Sequence, residues 1–345
     1  TMTTILDVAD TSIDAVNALW SGLGYYRRAK YLKKGLDEVV LQHKGVIPSS
    51  AEQLQKIPGI GQYTSGAIAS IAFRQRAPLV DGNVTRVLSR LRAIEYDVMN
   101  TQTQKQLLWP LSKSLVDVIP DHVHPGDLNQ SLMEFGALLC TPKKPSCSSC
   151  PLSSSCVSYQ LLQSNKIKSV ERYPIKKKKS KQQVSYWVAL VYMNSNNEVF
   201  MRKRPSEGLL SNLYEFPNVL LSTDFMDSRL FDVTTDVLFP YFEEHIDNLH
   251  FESNHTLRYA GLVKHVFSHR IHFYHVLSIR QGTSLLSNAV DAKWISPSDF
   301  DEYGIPTLMM KLYHEVHEPS RKRKSSSLGV SKTQKKKKQL RLSNQ

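Results

Sequence analysis

Apolar residues return at three-to-four-residue spacing through the first half of the chain. Ala29, Leu32, Leu36, Val39 and Val40 form one such stripe, as a helix with a single buried face requires. The pattern predicts helices from about residue 14 to 160, with few strand signals. Ser49 followed by Glu52 has the spacing of a capping box, and the short helix it would open is stopped by Pro58 and the Gly59-Ile60-Gly61 turn; Asp127 and Gln130 suggest a second box. Beyond about residue 183 the period changes. Val184 to Met193 is rich in β-branched and aromatic residues, Asn194 to Asn197 carries turn chemistry, and Glu198 to Arg204 returns as a second strand. Tyr259 to Ile279 is a further strand-rich block, followed by a last helix near Pro306 to Val316. Between the two regimes, residues 157–183 shift to Lys, Ser and Gln, with a lysine run from Lys176 to Lys179, and predict an exposed linker. From Ser320 onward the chain is Lys, Arg and Ser without an apolar face, a composition that predicts disorder. The expected organisation is a helical domain at 1–160, a basic linker at 161–183, an α+β domain at 184–318 and a basic tail at 319–345.

Composition narrows the partner. With 44 Lys+Arg against 31 Asp+Glu over 345 residues, the formal charge is +13, which favours a polyanion, nucleic acid first. No apolar run approaches the roughly 20 residues that cross a bilayer, and the opening stretch lacks the charged-then-apolar order of a signal peptide, so no membrane partner is expected. The chain opens Thr-Met-Thr-Thr and runs directly into helix-like sequence, so the true start is expected upstream and the chain is expected to be a fragment.

All four cysteines, Cys140, Cys147, Cys150 and Cys156, fall within seventeen residues, with gaps of six, two and five. Thiolates gathered so tightly suit a metal centre better than a disulfide frame. Structural zinc commonly uses two paired Cys-x-x-Cys arms, whereas only Cys147 and Cys150 form such a pair, and this tilts the choice toward a [4Fe–4S] cluster. A loop staple presenting Lys143 and Lys144 to phosphate is a sufficient role for it. His265, His269, His272 and His275 invite a metal reading too, but in a strand they alternate faces and lack acidic companions.

Upstream of the cysteines, Ile57 to Thr64 contains a Pro-Gly-Ile-Gly turn. Its backbone N–H groups and the following helix start could grip a phosphate without reading sequence. Val80-Asp81-Gly82-Asn83-Val84 follows. The six-two-five spacing is similar to the cluster loop of the endonuclease III superfamily, and the turn resembles the hairpin of its helix-hairpin-helix element. Trp20-Ser21-Gly22-Leu23-Gly24-Tyr25-Tyr26-Arg27-Arg28-Ala29, with Gly208 to Pro217 and Phe267-Ser268-His269, resembles the MutY family of adenine glycosylases in particular.

That resemblance implies an all-α helix-hairpin-helix glycosylase domain carrying the [4Fe–4S] loop at 140–156, plus an α+β Nudix-like C-terminal domain without pyrophosphatase activity, since no Glu-rich Nudix box is present. It implies hydrolytic removal of adenine mispaired with 8-oxoguanine or guanine in double-stranded DNA after base flipping. Asp81 would stabilise the oxocarbenium-like sugar, with Tyr63 and Asn83 completing the catalytic set, although Asp81 could equally cap a helix starting near Val84. Tyr63 stands where bifunctional relatives carry lysine, and Thr85 where some relatives carry another, so a monofunctional enzyme is implied. Tyr25 would wedge into the opened stack, Gly59 and Gly61 would contact the DNA backbone, and Phe267, Ser268 and His269 would meet the lesion. Asn212 replaces a glycine common in relatives, at a turn whose left-handed backbone asparagine tolerates. The family's general acid is a glutamate upstream of everything present here, and the expectation is that this fragment binds DNA without catalysing. The chain is expected to act as a monomer. The tail, with Arg321 to Lys324 and Lys335 to Lys338, resembles a bipartite nuclear signal, a solvated nonspecific DNA-binding tail being the alternative, and a mitochondrial address is expected, if anywhere, upstream of the sequence given. Checkpoint or replication clamps are partners in the family, unassigned to any segment here. The competing readings are a bifunctional endonuclease III-like glycosylase/lyase and a non-catalytic DNA-binding module.

Overall fold

The computed structural model describes residues 4–98, 100–175, 182–222, 234–246, 249–251, 256–280, 285–287 and 291–318. The lysine run from Lys176 to Lys179 and the basic tail lie outside the described residues. The chain divides into two units, residues 1–181 and 182–345.

The first unit is helical: α1 (Ile5–Asp10), α2 (Ile13–Leu19), α3 (Arg27–His43), α4 (Ala51–Leu54), α5 (Gln62–Ile71), α6 (Gly82–Leu91), α7 (Thr101–Thr103), α8 (Trp109–Asp117), α9 (Pro125–Leu138) and α10 (Val157–Gln163). Its central element is α6. Every residue from Val84 to Arg90 is buried, and Val84 and Leu88 join Leu79, Val80, Ile94, Val98 and Leu108 in one core cluster. Side chains on all sides of this helix therefore need partners, including two arginines. Close helix approach is set by small residues: a methyl built on Gly136 of α9 would stand 2.8 Å from Asn83 Cβ, so α9 can lie on the start of α6 only with glycine there.

Four sequence expectations need correction here. The α4 cap is Ser50, whose hydroxyl accepts from Gln53 N, not Ser49. Asp127 opens no capping box: α9 starts two residues earlier because Pro125, with its fixed φ and missing N–H, suits the first helical position, and His124 Nδ1 accepts from Gly126 N at 3.0 Å. Residues 157–175 are no linker. They contain α10, and Ile167, Val170 and Tyr173 are buried, the Tyr173 hydroxyl bonding Glu95 at 3.0 Å. A Lys/Ser-rich composition described the outward faces of a segment that buries Ile167, Val170 and Tyr173. The α3 stripe also differs: Ala29, Gly35 and Val39 are buried, while Leu32 is exposed.

The second unit is built on a mixed sheet. Its strands are β1 (Gln183–Met193), β2 (Val199–Lys203), β3 (Tyr214–Glu215), β4 (Asn218–Leu220), β5 (Leu249–Phe251), β6 (Thr256–Val266), β7 (Arg270–Arg280), β8 (Leu285–Ser287) and β9 (Ala292–Ile295). Strand order is β3-β2-β1-β7-β6, with β4 also on β1 and β9 on β2; β1 and β7 run parallel and the other pairs antiparallel. Period-two alternation sorts β1 between two cores: Ala189, Val191 and Met193 face helix α12 (Thr307–His317), and Val188, Leu190 and Tyr192 face helix α11 (Thr235–His245). A strand buried on both faces reads as a continuous apolar run, as this one does. The strand-rich block at 259–279 is the antiparallel pair β6–β7, whose turn is Phe267-Ser268-His269.

Candidate functional site

Asp81 sits where an apolar strand-like segment ends and α6 begins. Its backbone is extended, and one carboxylate oxygen accepts from Val84 N at 2.7 Å, capping α6; the other accepts from Asn83 Nδ2 at 3.0 Å. Asn83 is held in turn. Arg86 Nη2 donates to Asn83 Oδ1 (2.9 Å) and to Gly136 O (2.5 Å), while its Nε donates to Cys140 O at 2.7 Å. One guanidinium thus joins the carboxylate's neighbour to the first residue of the cysteine segment. Burial, and then the neighbouring Arg90, pull the Arg86 pKa down, while the Asp81 and Cys140 charges act the other way. Asp81 itself is half-buried, so its carboxylate caps the helix at the boundary of core and solvent.

Arg90, one helical turn on, ties the cysteine loop and Tyr173 to the same helix. Its guanidinium donates to Tyr173 O (3.1 Å), Cys140 O (3.3 Å), Thr141 O (2.7 Å) and Pro142 O (3.1 Å), and lies 3.4 Å from Cys140 Sγ. All four cysteines line one cavity with Arg90, Leu91, Phe135, Leu139 and Tyr159. Burial, and next the nearby thiols, push Cys147 up, and burial likewise raises Cys156. Among the described residues no three His, Cys, Asp or Glu side chains are gathered closely enough for a single metal ion. Four thiols lining one cavity, one of them beside a guanidinium, are soft donors of the kind that hold a metal centre.

Sequence reasoning passed over Arg86 and Arg90. The signal was available: two arginines four apart interrupt the apolar positions Val84, Val87, Leu88 and Leu91, and a charge placed inside such a helix needs fixed acceptors.

The hairpin joins α4 to α5. Gly59 has φ 87°, and a methyl there would stand 2.6 Å from Tyr31 Cβ, so this glycine is demanded by the fold. Gly61 differs: its φ is −86°, and an added methyl would meet nothing within 4 Å. The fold does not require glycine there. Gly61 caps α5 with no side-chain hydrogen bond, leaving the first amides of that helix without a side-chain acceptor. Tyr63, in the first turn, is 43% exposed, with its hydroxyl 3.7 Å from Met133 Sδ. Met133 and Gly136 are three apart on α9, so one face of that helix touches both Tyr63 and Asn83. The elements bearing Tyr63, Asn83 and Asp81 therefore converge on α9.

The segment before α3 separates two adjacent tyrosines. Gly22 and Gly24 take φ of 81° and 67°, Trp20 Nε1 donates to Gly24 O at 3.1 Å, and Tyr25 follows with φ 48°. Tyr26 is buried at 6% and bonds Gly22 N, whereas Tyr25 is 75% exposed. Left-handed backbone at a tyrosine is uncommon, and here it holds an aromatic ring out of the core.

In the second unit Phe267 N donates to Arg270 O, closing the β6–β7 turn, and the Gln182 side chain donates to the Phe267 and Ser268 carbonyls. Phe267 is half-buried between His265 and His272, at ring distances of 4.5 and 4.9 Å; Ser268 and His269 are exposed. Asn212 takes φ 59°, the left-handed conformation its turn was expected to need. The four histidines form no metal site among the described residues. His275 is buried on the Tyr259 hydroxyl at 3.1 Å, and burial pulls its pKa down to about 4; burial lowers His265 and His272 as well.

A depressed histidine pKa makes the native state resist a proton that the unfolded chain accepts below about 6.5. The His275 contribution is therefore flat above pH 6.5 and stability is lost as pH falls from 6.5 to 4, by about 3 kcal/mol for a drop from 6.5 to about 4. Thermal melts between pH 7.5 and 4.5 check this: His275→Gln is expected to lose less stability on acidification than the parent, and parallel curves would contradict it.

Comparison with known proteins bears on both units. Residues 1–112 match the family described as HhH-GPD superfamily base excision DNA repair protein, and residues 188–315 match the NUDIX domain. The adenine DNA glycosylase of Schizosaccharomyces pombe is 34% identical over 367 aligned positions, covering 95% of this chain and 76% of that protein. The Arabidopsis thaliana adenine DNA glycosylase is 48% identical over 216 positions (61% of this chain, 33% of that protein), and the Homo sapiens one 33% over 353 (90% and 62%). The chain thus spans a third of the plant relative's length and just under two thirds of the human one's.

Proposed function

The chain belongs to the adenine DNA glycosylase family, and from that premise we propose that the full-length protein removes adenine paired with 8-oxoguanine, or less efficiently with guanine, from duplex DNA by hydrolysing the N-glycosidic bond. The observation that carries this reading is the half-buried Asp81 carboxylate, fixed by two hydrogen bonds at the head of the central helix and backed by the Asn83–Arg86 relay. As the base departs, positive charge grows on the sugar. A preorganised anion beside it lowers that barrier without reorganising at the moment of reaction.

The other residues have separable duties. The amides at the start of α5 and the open space over Gly61 suit close approach of a phosphate. Tyr25 is shaped to fill the stack where the adenine has been swung out, and Ser268 and His269 to meet the opposite base from the second unit. Tyr63 offers no amine, so no Schiff base forms and the product is an abasic site. No proton donor for the adenine is assigned among the residues of this chain. The nucleus is the proposed compartment.

Cys140, Cys147, Cys150 and Cys156 would hold a [4Fe–4S] cluster, whose role here is to tie the loop rather than to react. Anaerobic purification is expected to give about four irons and four sulfides per chain; colourless protein with stoichiometric zinc would contradict the assignment.

The test of the function is base release by the full-length protein from an 8-oxoguanine:adenine duplex, with a thymine:guanine duplex as control. Free adenine, with no borohydride-trapped complex, is the expected result. Release of thymine alone, or efficient trapping, would overturn it.

A further inference from the structure

The hairpin is not alone on its surface. Helix α3 lies against it: Tyr31 packs on Gly59, and Gly35 sits where a methyl would stand 2.8 Å from Pro58 O. Arg27, Lys30, Tyr31 and Lys34 recur on α3 at i, i+3, i+4 and i+7, so they share one stripe bordering the turn. Arg27 Nη2 donates to the Tyr31 hydroxyl at 2.9 Å, with the guanidinium 5.2 Å from the ring centroid. A long, otherwise solvated side chain is thereby held in one pose. The Arg27 bond and charge, followed by Lys34 and Lys30, keep the Tyr31 phenol below its usual pKa, which marks the stripe as strongly positive.

The charges of this helix are not handled alike. Lys33, on another face, pairs with Asp37 at 2.6 Å and donates to Ala9 O, so its ammonium serves the fold. No carboxylate among the described residues pairs with Arg27 or Lys34, both exposed. Seven helical steps, from Arg27 to Lys34, carry the stripe along about 10 Å. A nucleic-acid strand presents a phosphate about every 3.4 Å of axis, so three cations over that length match a backbone better than a single anion.

We propose that Arg27, Lys30 and Lys34, with Arg27 positioned by Tyr31, form a second backbone-phosphate subsite that continues the hairpin's grip along one DNA strand; this rests on the reading that the chain binds duplex DNA. Such a subsite positions the duplex and reads no sequence.

Salt dependence of binding tests it. Affinity of the full-length protein for a labelled 8-oxoguanine:adenine duplex and for an undamaged duplex is measured from 50 to 300 mM salt, for the parent, Arg27→Ala and Lys34→Ala. The slope of log affinity against log salt should fall by about one for each cation removed, equally on both duplexes. Tyr31→Phe, which keeps the ring on Gly59, should weaken both duplexes by a smaller factor than Arg27→Ala. Unchanged slopes in both alanine variants overturn the subsite while leaving the glycosylase reading intact. Loss on the damaged duplex alone also overturns it, because a backbone contact cannot distinguish the two. If the parent binds duplex but releases no base, the reading of the active site fails while the subsite stands.

Discussion

Replacing Asp81 by asparagine is expected to slow single-turnover adenine release by about 10²–10³-fold while the protein stays folded and still binds duplex. The substitution separates the two duties of this residue. Asparagine caps helices about as well as aspartate, so Val84 N keeps an acceptor and α6 keeps its start. One contact is lost, because Asn83 Nδ2 would then face a second amide or turn away from Arg86. That costs about 1 kcal/mol, too little to unfold the domain. What disappears is the negative charge. Removing one preorganised group at a developing charge costs about 3–4 kcal/mol of barrier, so the rate falls far more than the stability. A variant that retains its parent's rate would leave Asp81 as a helix cap alone.

Arg86→Ala is expected to cost much of the helical unit's stability. Arg86 is 8% exposed, and its guanidinium donates to Cys140 O, Gly136 O and Asn83 Oδ1; Arg90 also reaches Cys140 O, so it is Gly136 O and Asn83 Oδ1 that lose their guanidinium donor. Each buried acceptor left without a donor costs about 1–3 kcal/mol, partly relieved where water enters. A net loss of about 3 kcal/mol is expected, which in a unit of this size lowers the melting temperature by roughly 6–12 °C. Arg86→Lys should recover little, since a single ammonium cannot reach three acceptors set around a planar fork. Differential scanning calorimetry checks both. Because Asn83 loses its anchor at the same time, the excision rate measured well below the melting temperature should fall as well; an unaltered rate would sever the proposed link between loop and carboxylate.

The parts of this architecture legible in the sequence are those that short-range chemistry writes locally. The four-cysteine spacing, the turn glycines and the capping aspartate each announce themselves within a few residues, and each lies where its spacing placed it in the chain. Strand β1 was readable because its apolar run has the composition of a strand covered on both faces. What the sequence hid was long-range. Arg86 and Arg90 take their meaning from carbonyls 50 or more residues away, at Gly136, Cys140 and Thr141, which no local pattern encodes. Residues 157–175 were misread for the same reason: the burial of Tyr173 depends on Arg90 and Glu95, distant in sequence. The two capping boxes failed more simply. Adjacent serines compete for one cap, and Pro125 starts a helix earlier than the acidic residue that follows it. Of Tyr25 and Tyr26, only backbone geometry told which ring is buried, because two glycines with positive φ turn the first outward.

In the proposed reaction the helical unit holds Asp81 against the sugar of an adenine swung out of the duplex. A duplex carrying a fluorescent adenine analogue opposite 8-oxoguanine tests it most directly, since unstacking brightens the analogue. On binding, the parent protein and Asp81→Asn should both give the brightening, with base release following only in the parent. Binding without brightening in either protein, or release at equal rates in both, would contradict the account.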